Sequence, residues 1–329
     1  MKVAMFSTKS YDKESFRKHN QNPSIEICFF KAALNINTVD LTKGFDAVCI
    51  FVNDEISDEM MARMHRYGVQ LIALRCAGFN NVDLEAAKKY DIKVARVPAY
   101  SPESIAEHTM ALILTLNRKT HKAYNRVREG NFSLRRLMGF NLHKKTVGVV
   151  GTGKIGIAFC RILQGFGCRI VASDPYESEE LVQMGVQYKS LTEVFEQADI
   201  ISLHCPLTDS TRHLVNAESM RLMKQGVMLI NTSRGGLIKT EEIIESLKSG
   251  KIGYLGIDVY EQEENLFFKD LSDSIIQDDL ILRLNSFPNG LITSHHAYFT
   301  EEAMDEITHT TLKNIESFHL EEKLLNEVT

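Results

Sequence analysis

At 329 residues the chain is long enough to bury the cores of two domains, and 44% hydrophobic with 25% charged residues is an ordinary globular balance. A net charge of −5 gives no electrostatic footprint for nucleic acid, so no nucleic-acid partner is expected. No apolar run is long enough to cross a bilayer, which argues against a membrane partner. Met1 to Ser7 reads as a strand and lacks the apolar core of a secretory signal, so a cytoplasmic location is expected. Cys28, Cys49, Cys76, Cys160, Cys168 and Cys205 stand singly in or beside apolar runs, without C-x-x-C pairs. They read as reduced core residues, and no metal is expected.

The first hundred residues alternate strand and helix. Lys2–Phe6, Ala47–Val52, Val69–Leu74 and Val94–Val97 read as parallel strands, with Asp58–Tyr67 and Val82–Tyr90 as helices between them. Ser101 and Pro102 then form an N-cap with proline at the first helical position. The helix they open carries Ile105, Ala106, Met110, Ile113, Leu114 and Leu116, and runs on through Arg118, Lys119, Lys122, Arg126 and Arg128. It reads as one long spine between two α/β units, with basic residues suited to a helix C-terminus.

From Thr146 the alternation resumes. Val147–Val150 is a buried strand, and Gly151, Gly153 and Gly156 fit G-x-G-x-x-G at the entry to a helix that runs to Phe166. Gly151 permits the tight turn, Gly153 admits a pyrophosphate to the backbone, and Gly156 lets helix pack on strand. The helix N-terminus adds free N–H groups and partial positive charge. The next strand, Cys168–Ser173, ends at Asp174, where the adenosine ribose of a dinucleotide would lie. A carboxylate there accepts from both ribose hydroxyls and repels a 2′-phosphate. Residues 175–180 offer no Lys or Arg, so the expected cofactor is NAD rather than NADP.

Further strands at 169–173, 199–205, 227–232, 252–259 and 290–294 complete a doubly wound parallel sheet. Glu261, Glu263, Glu264, Asp270, Asp273, Asp278 and Asp279 read as a solvated surface excursion. The segment from Thr300, with Ile307, Ile315 and Phe318 on one face, reads as a helix returning to the first domain.

Ligands of open α/β sheets bind beyond the carboxyl ends of the strands. The residues there are His204-Cys205-Pro206, Thr232-Ser233-Arg234, Asp258 to Glu263, and His295-His296. An arginine, a carboxylate and a histidine are the set that carbonyl reduction needs. Hydride addition builds negative charge on oxygen, which an imidazolium can protonate, and a guanidinium fork matches the carboxylate of a 2-oxo acid.

At these residues the chain resembles the D-isomer-specific 2-hydroxyacid dehydrogenase family, most closely its bacterial fermentative D-lactate subgroup. The likeness runs nearly end to end, through Arg75-Cys76-Ala77-Gly78-Phe79-Asn80-Asn81-Val82-Asp83, Arg96 to Pro102, Gly151 to Gly156, Asn231 to Gly235, and Asp258 to Glu261. The insertion with Leu266-Phe267-Phe268 and Ile275 to Asp279 resembles the lactate subgroup. The resemblance implies two Rossmann-like or flavodoxin-like doubly wound parallel-sheet domains with an interdomain cleft. Residues 1–100 plus 298–329 would be the substrate domain, and residues 101–297 the NAD-binding Rossmann domain.

Carried over by motif, the catalytic residues are Arg234, Glu263 and His295, with His295 favoured over His296 by its register before Ala297. The cofactor would be held by Gly151, Gly153, Lys154, Ile155, Gly156 and Asp174. Cys205, Pro206, Thr211, Thr232, Ser233, Arg234 and Asp258 would complete that site. The amides of Ala77 and Gly78 would hold the substrate carboxylate, with Arg75, Tyr100, Tyr298 and Phe51 shaping the pocket. Core packing of the aromatics, and a domain-interface ion pair for Arg75, are the alternatives. The implied reaction is NAD-dependent reduction of pyruvate to D-lactate by a homodimer or homotetramer. A dehydrogenase for bulkier 2-oxo acids, or a non-catalytic NAD-sensing binding protein, would be the rival readings.

Overall fold

A computed structural model of the chain describes residues 1–263 and 266–329; Glu264, placed above in the acidic excursion, lies outside the described residues. The chain divides into two compact units, Met1–Ser101 with Phe299–Thr329, and Pro102–Tyr298.

The first unit is built on β1 (Lys2–Met5), β2 (Glu26–Phe29), β3 (Ala47–Ile50), β4 (Leu71–Leu74) and β5 (Lys93–Ala95). They form one parallel sheet in the order β2-β1-β3-β4-β5. The residues of β3 and β4 are buried throughout, as befits strands covered on both faces. Sequence reading passed over β2 and the helix Ser10–His19. That helix buries only Asp12 and Phe16, so it shows no apolar periodicity, and β2 is a half-exposed edge strand. The helix Glu301–His319 packs on β4 and on Ser10–His19. Its Ile315 is fully buried with Val3, Met5, Phe16 and Leu71, which contributes about 1.5–3 kcal/mol.

The second unit contains β6 (Thr146–Val150), β7 (Arg169–Ser173), β8 (Gln187–Tyr188), β9 (Ile200–Leu203), β10 (Val227–Asn231), β11 (Ile252–Ile257) and β12 (Gly290–Ile292). All pair in parallel, in the order β12-β11-β10-β9-β6-β7-β8. Helices Pro102–Arg118 and Lys154–Gly165 share one core with β6. On the other core, helices Leu191–Gln197 and Thr240–Ser249 pack with Leu203 and Leu229. Register decides the consequence. Val150 lies opposite Ser173 and Leu203, Leu203 opposite Asn231, Asn231 opposite Ile257, and Ile257 opposite Ile292. The strands therefore end level, and the residues that follow them share one edge.

Two expectations are corrected. The long spine is broken: its first helix ends at Arg118, Lys119 turns left-handed at φ +53, and a second helix runs Thr120–Arg128. Local propensity gives no sign of this, because the tie is tertiary. The Asn117 side chain donates to the Phe140 carbonyl at 2.7 Å and accepts the Phe140 N–H at 2.8 Å, while Lys119 donates to the Met138 carbonyl at 2.6 Å. The acidic excursion is also more than solvated surface. Phe267 is buried, with Leu266, Phe268 and Ile276 packed on the same core, and Asp278 caps the helix Asp279–Asn285 while accepting the Tyr260 hydroxyl.

All six cysteines are free thiols. Burial pushes Cys49 and Cys160 up to about 12 and Cys205 up to about 11, so none of these three offers a thiolate near neutrality. Among the described residues no group of His, Cys, Asp and Glu could hold a metal ion, and no helix is long and apolar enough to cross a membrane.

Candidate active site

The glycine loop has the form a dinucleotide requires. Gly151 sits at φ +95, and a Cβ there would lie 2.5 Å from the Cys205 amide nitrogen. At Gly156 a Cβ would lie 2.2 Å from the Gly151 carbonyl oxygen, so helix and strand meet only because both residues lack side chains. Gly153, by contrast, has open space where its Cβ would be. It caps the helix Lys154–Gly165, whose first-turn amides at Lys154 and Ile155 have no intrahelical acceptor, and Gly153 and Lys154 are exposed. A pyrophosphate fits this cradle.

Asp174 is half-buried beside it. One carboxylate oxygen accepts the Thr152 N–H at 2.6 Å and the other the Tyr176 N–H at 2.8 Å, which leaves further lone pairs for ribose hydroxyls. Tyr188, which sequence reading missed, donates its hydroxyl to Thr152 Oγ1 at 2.9 Å and steadies the same loop.

The neighbouring strand ends are tied together. Ser233 donates its hydroxyl to the Cys205 carbonyl at 2.7 Å, joining the loop after β10 to the loop after β9. Thr211 donates to the Pro206 carbonyl at 2.7 Å and so shapes the exposed turn that carries Pro206. Thr232 is buried, its hydroxyl 2.8 Å from that of Thr109. Arg234 has its carbonyl held by the Asn231 side chain at 2.8 Å, while its exposed guanidinium donates to the Ser233 carbonyl at 2.8 Å and forms no ion pair with a described residue. A Cβ on Gly235 would lie 2.1 Å from the Tyr260 carbonyl, so only glycine lets the Arg234 loop approach the loop after β11. His204 Nε2 lies 2.9 Å from the Ser202 hydroxyl, and burial pushes its imidazole down to about 3.

His295 Nδ1 lies 2.8 Å from Glu263 Oε1, and Glu263 Oε2 accepts the Tyr260 N–H at 2.9 Å. With a carboxylate as its partner Nδ1 carries the proton, and Nε2 is left for chemistry. His295 is held at φ +54, an uncommon left-handed conformation for a residue with a side chain. Asp258 supports that turn. Its carbonyl accepts the His295 N–H at 2.7 Å, Oδ1 accepts the His296 N–H at 3.0 Å, and Oδ2 accepts the Ala297 N–H at 2.8 Å.

Asp258, expected among the cofactor residues, is 0% exposed, and its carboxylate accepts the His296 and Ala297 amides. His296 is more exposed, and burial, opposed by Asp258 and reinforced by His108, lowers its pKa. Glu261, equally eligible in the sequence, is taken by His213 at 2.6 Å and by the Thr240 N–H.

In the first unit, Arg75 is 2% exposed. Its Nε lies 3.4 Å from Asp12, Nη2 donates to the Ser7 carbonyl at 3.0 Å, and the guanidinium stands over the Phe51 ring at 4.8 Å. The ion pair considered for a domain interface thus lies within this unit. Asp54, also missed, accepts from Ser7, Leu34 and Phe51 and holds the loop after β3. The loop after β4 is pinned where Arg96 donates to the Ala77 carbonyl at 2.7 Å and the Cys76 thiol to the Gly78 carbonyl at 3.3 Å. Tyr100 is half-buried and Tyr298 buried, each beside the chain's crossing from one unit to the other.

Known proteins resemble this chain over its whole length. Residues 110–297 match the family profile described as D-isomer specific 2-hydroxyacid dehydrogenase, NAD binding domain. D-lactate dehydrogenase of Escherichia coli is 50% identical over 328 residues, covering 100% of both chains. The apo-structure of the Escherichia coli D-lactate dehydrogenase superimposes with a TM-score of 0.92 at 48% identity over 100% of both chains. A structure described as the pyruvate reductase of Chlamydomonas reinhardtii gives 0.93 at 44% identity, covering 99% of this chain and 98% of that one.

Proposed function

The chain belongs to the D-isomer-specific 2-hydroxyacid dehydrogenase family, and we propose that it reduces pyruvate to D-lactate, reversibly, with His295 as the proton donor. The observation that carries this reading is the His295–Glu263 pair on a left-handed turn, with the exposed Arg234 guanidinium, which has no carboxylate partner among the described residues, on a neighbouring strand end. The choice of pyruvate draws support from the names of the relatives in Escherichia coli and Chlamydomonas reinhardtii.

NADH, when bound along the glycine loop and Asp174, supplies the hydride that reaches the substrate's C2. Arg234 receives the substrate carboxylate through its planar fork and orients the carbonyl. Protonated His295 gives the Nε2 proton to the carbonyl oxygen as charge builds there, and takes it back in lactate oxidation. Glu263 fixes the tautomer by accepting from Nδ1, and its charge favours the imidazolium. We assign the substrate-carboxylate amides to Ala77 and Gly78 and pocket shaping to Tyr100 and Tyr298, as the family resemblance implies. Arg75 acts there through Phe51, against whose ring its guanidinium stacks.

Turnover of NADH with pyruvate, phenylpyruvate and branched-chain 2-oxo acids, ranked by kcat/KM, tests the substrate, and chiral analysis of the product tests the isomer. His295→Gln should lose roughly 10²–10⁴-fold in rate while still binding NADH, and His296→Gln should keep most activity. A preference for phenylpyruvate would replace pyruvate with a bulkier acid. NADH binding without turnover of any 2-oxo acid would make the chain a sensor and refute the proposal.

A further inference from the structure

The enclosed carboxylate of Asp258, at the end of β11, draws its partners from two places: the segment after β12 and helix Pro102–Arg118. Thr293 donates its hydroxyl to Asp258 Oδ1 at 2.5 Å. On the helix, His108 Nε2 lies 3.2 Å from Thr293 Oγ1 and 3.5 Å from Asp258 Oδ1. A hydroxyl has one proton, and that of Thr293 is committed to Asp258, so toward His108 its oxygen accepts. His108 Nε2 is therefore the donor, and the same N–H faces both Thr293 and the carboxylate. The ring stands edge-on to His296, with centroids 4.7 Å apart. One residue further along, Thr109 meets Thr232, so the early turns of this helix are docked against the strand ends at two points.

A fully buried carboxylate is stable only when its lone pairs are satisfied. Burial opposes ionisation of Asp258, yet hydrogen bonds from His108, Thr293 and Ala297 outweigh it and hold its carboxyl below the ordinary value. His108 is thus one of the donors on which the orientation of Asp258 depends. Asp258 in turn receives three successive amides, those of His295, His296 and Ala297.

We infer that His108 is a positioning residue for the proton donor: its Nε2–H orients Asp258 and Thr293, and Asp258 holds the left-handed turn that presents His295. His108 touches neither substrate nor cofactor in this role. It acts through the turn, two steps removed from the reacting atoms. The inference rests on the reading of His295 as proton donor.

The test compares His108→Leu, which removes the donor, with His108→Gln, whose amide can return an N–H to the same place. In His108→Leu, kcat for pyruvate reduction should fall about 10- to 100-fold, the loss expected when a catalytic group is misplaced by a fraction of an ångström to an ångström. Pyruvate KM and NADH affinity should stay within about threefold, because Arg234 and the glycine loop are not held by His108. His108→Gln should recover most of kcat. An unchanged kcat in His108→Leu, or an equal loss in both variants with unaltered melting temperature, overturns the inference.

Absence of turnover in the wild type overturns the functional reading instead. The positioning claim is then decided by the His295 imidazole resonances in NMR spectra of the cofactor-free protein. They should move in His108→Leu and stay in His108→Gln; resonances indifferent to both substitutions overturn it.

Discussion

Asp258→Asn probes the support beneath His295 with almost no change in side-chain volume. The carboxylate offers Oδ1 to the His296 N–H and the Thr293 hydroxyl, and Oδ2 to the Ala297 N–H. An amide has one acceptor oxygen, so whichever way it turns, its NH2 faces at least one of those donors. A buried donor stripped of its acceptor costs about 1–3 kcal/mol. For a unit the size of Pro102–Tyr298, about 2 kcal/mol lowers the melting temperature by roughly 4–8 °C.

The pH dependence has a definite sign. Asp258 has a folded pKa depressed below 3.8, so its contribution is fully present above that value and is lost as pH falls through the lower folded pKa. The melting-temperature gap between wild type and Asp258→Asn should therefore hold from about pH 7 to 5 and close only below about pH 4. Activity should fall further than stability suggests, because the weakened turn carries the proton donor. A loss of about 100-fold in kcat, with NADH affinity nearly unchanged, is expected from stopped-flow reduction and fluorescence titration. If melting temperature and kcat both stayed at wild-type values at pH 7, the turn would not depend on Asp258 and the reasoning would fail.

Asp174→Ala should narrow the preference for NADH over NADPH by removing the charge that repels a 2′-phosphate. It should also raise KM for NADH, since the carboxylate holds the Thr152 amide of the glycine loop; equal kcat/KM for both cofactors in the wild type would refute the assignment. Arg234→Lys keeps the charge but loses the fork, so pyruvate KM should rise and kcat fall with NADH affinity unchanged. An effect confined to NADH binding would remove Arg234 from substrate recognition.

Much of this protein is local and so could be read along the chain. The glycine turn, the strand before it and the acid one strand later lie within one β-α-β stretch, and their chemistry depends on close neighbours. Strand-end position marked Arg234, Glu263 and His295 for the same reason, since a parallel sheet puts all its carboxyl ends on one edge. The pairings among those ends belong to the tertiary structure. Glu261 and Glu263 are two residues apart and chemically alike, yet one meets His213 and the other His295, because partner choice follows the packing of loops 48 and 32 residues apart in sequence. Burial is likewise a property of the fold: the Asp258 carboxylate is enclosed only when the 295–297 turn and His108 close over it. The Asp12–Arg75 pair spans 63 residues, and the break at Lys119 follows from Asn117 meeting Phe140; neither leaves a pattern in its own segment. Periodicity reports which face of an element is apolar, whereas a buried polar contact depends on which distant segment the sheet order brings beside it.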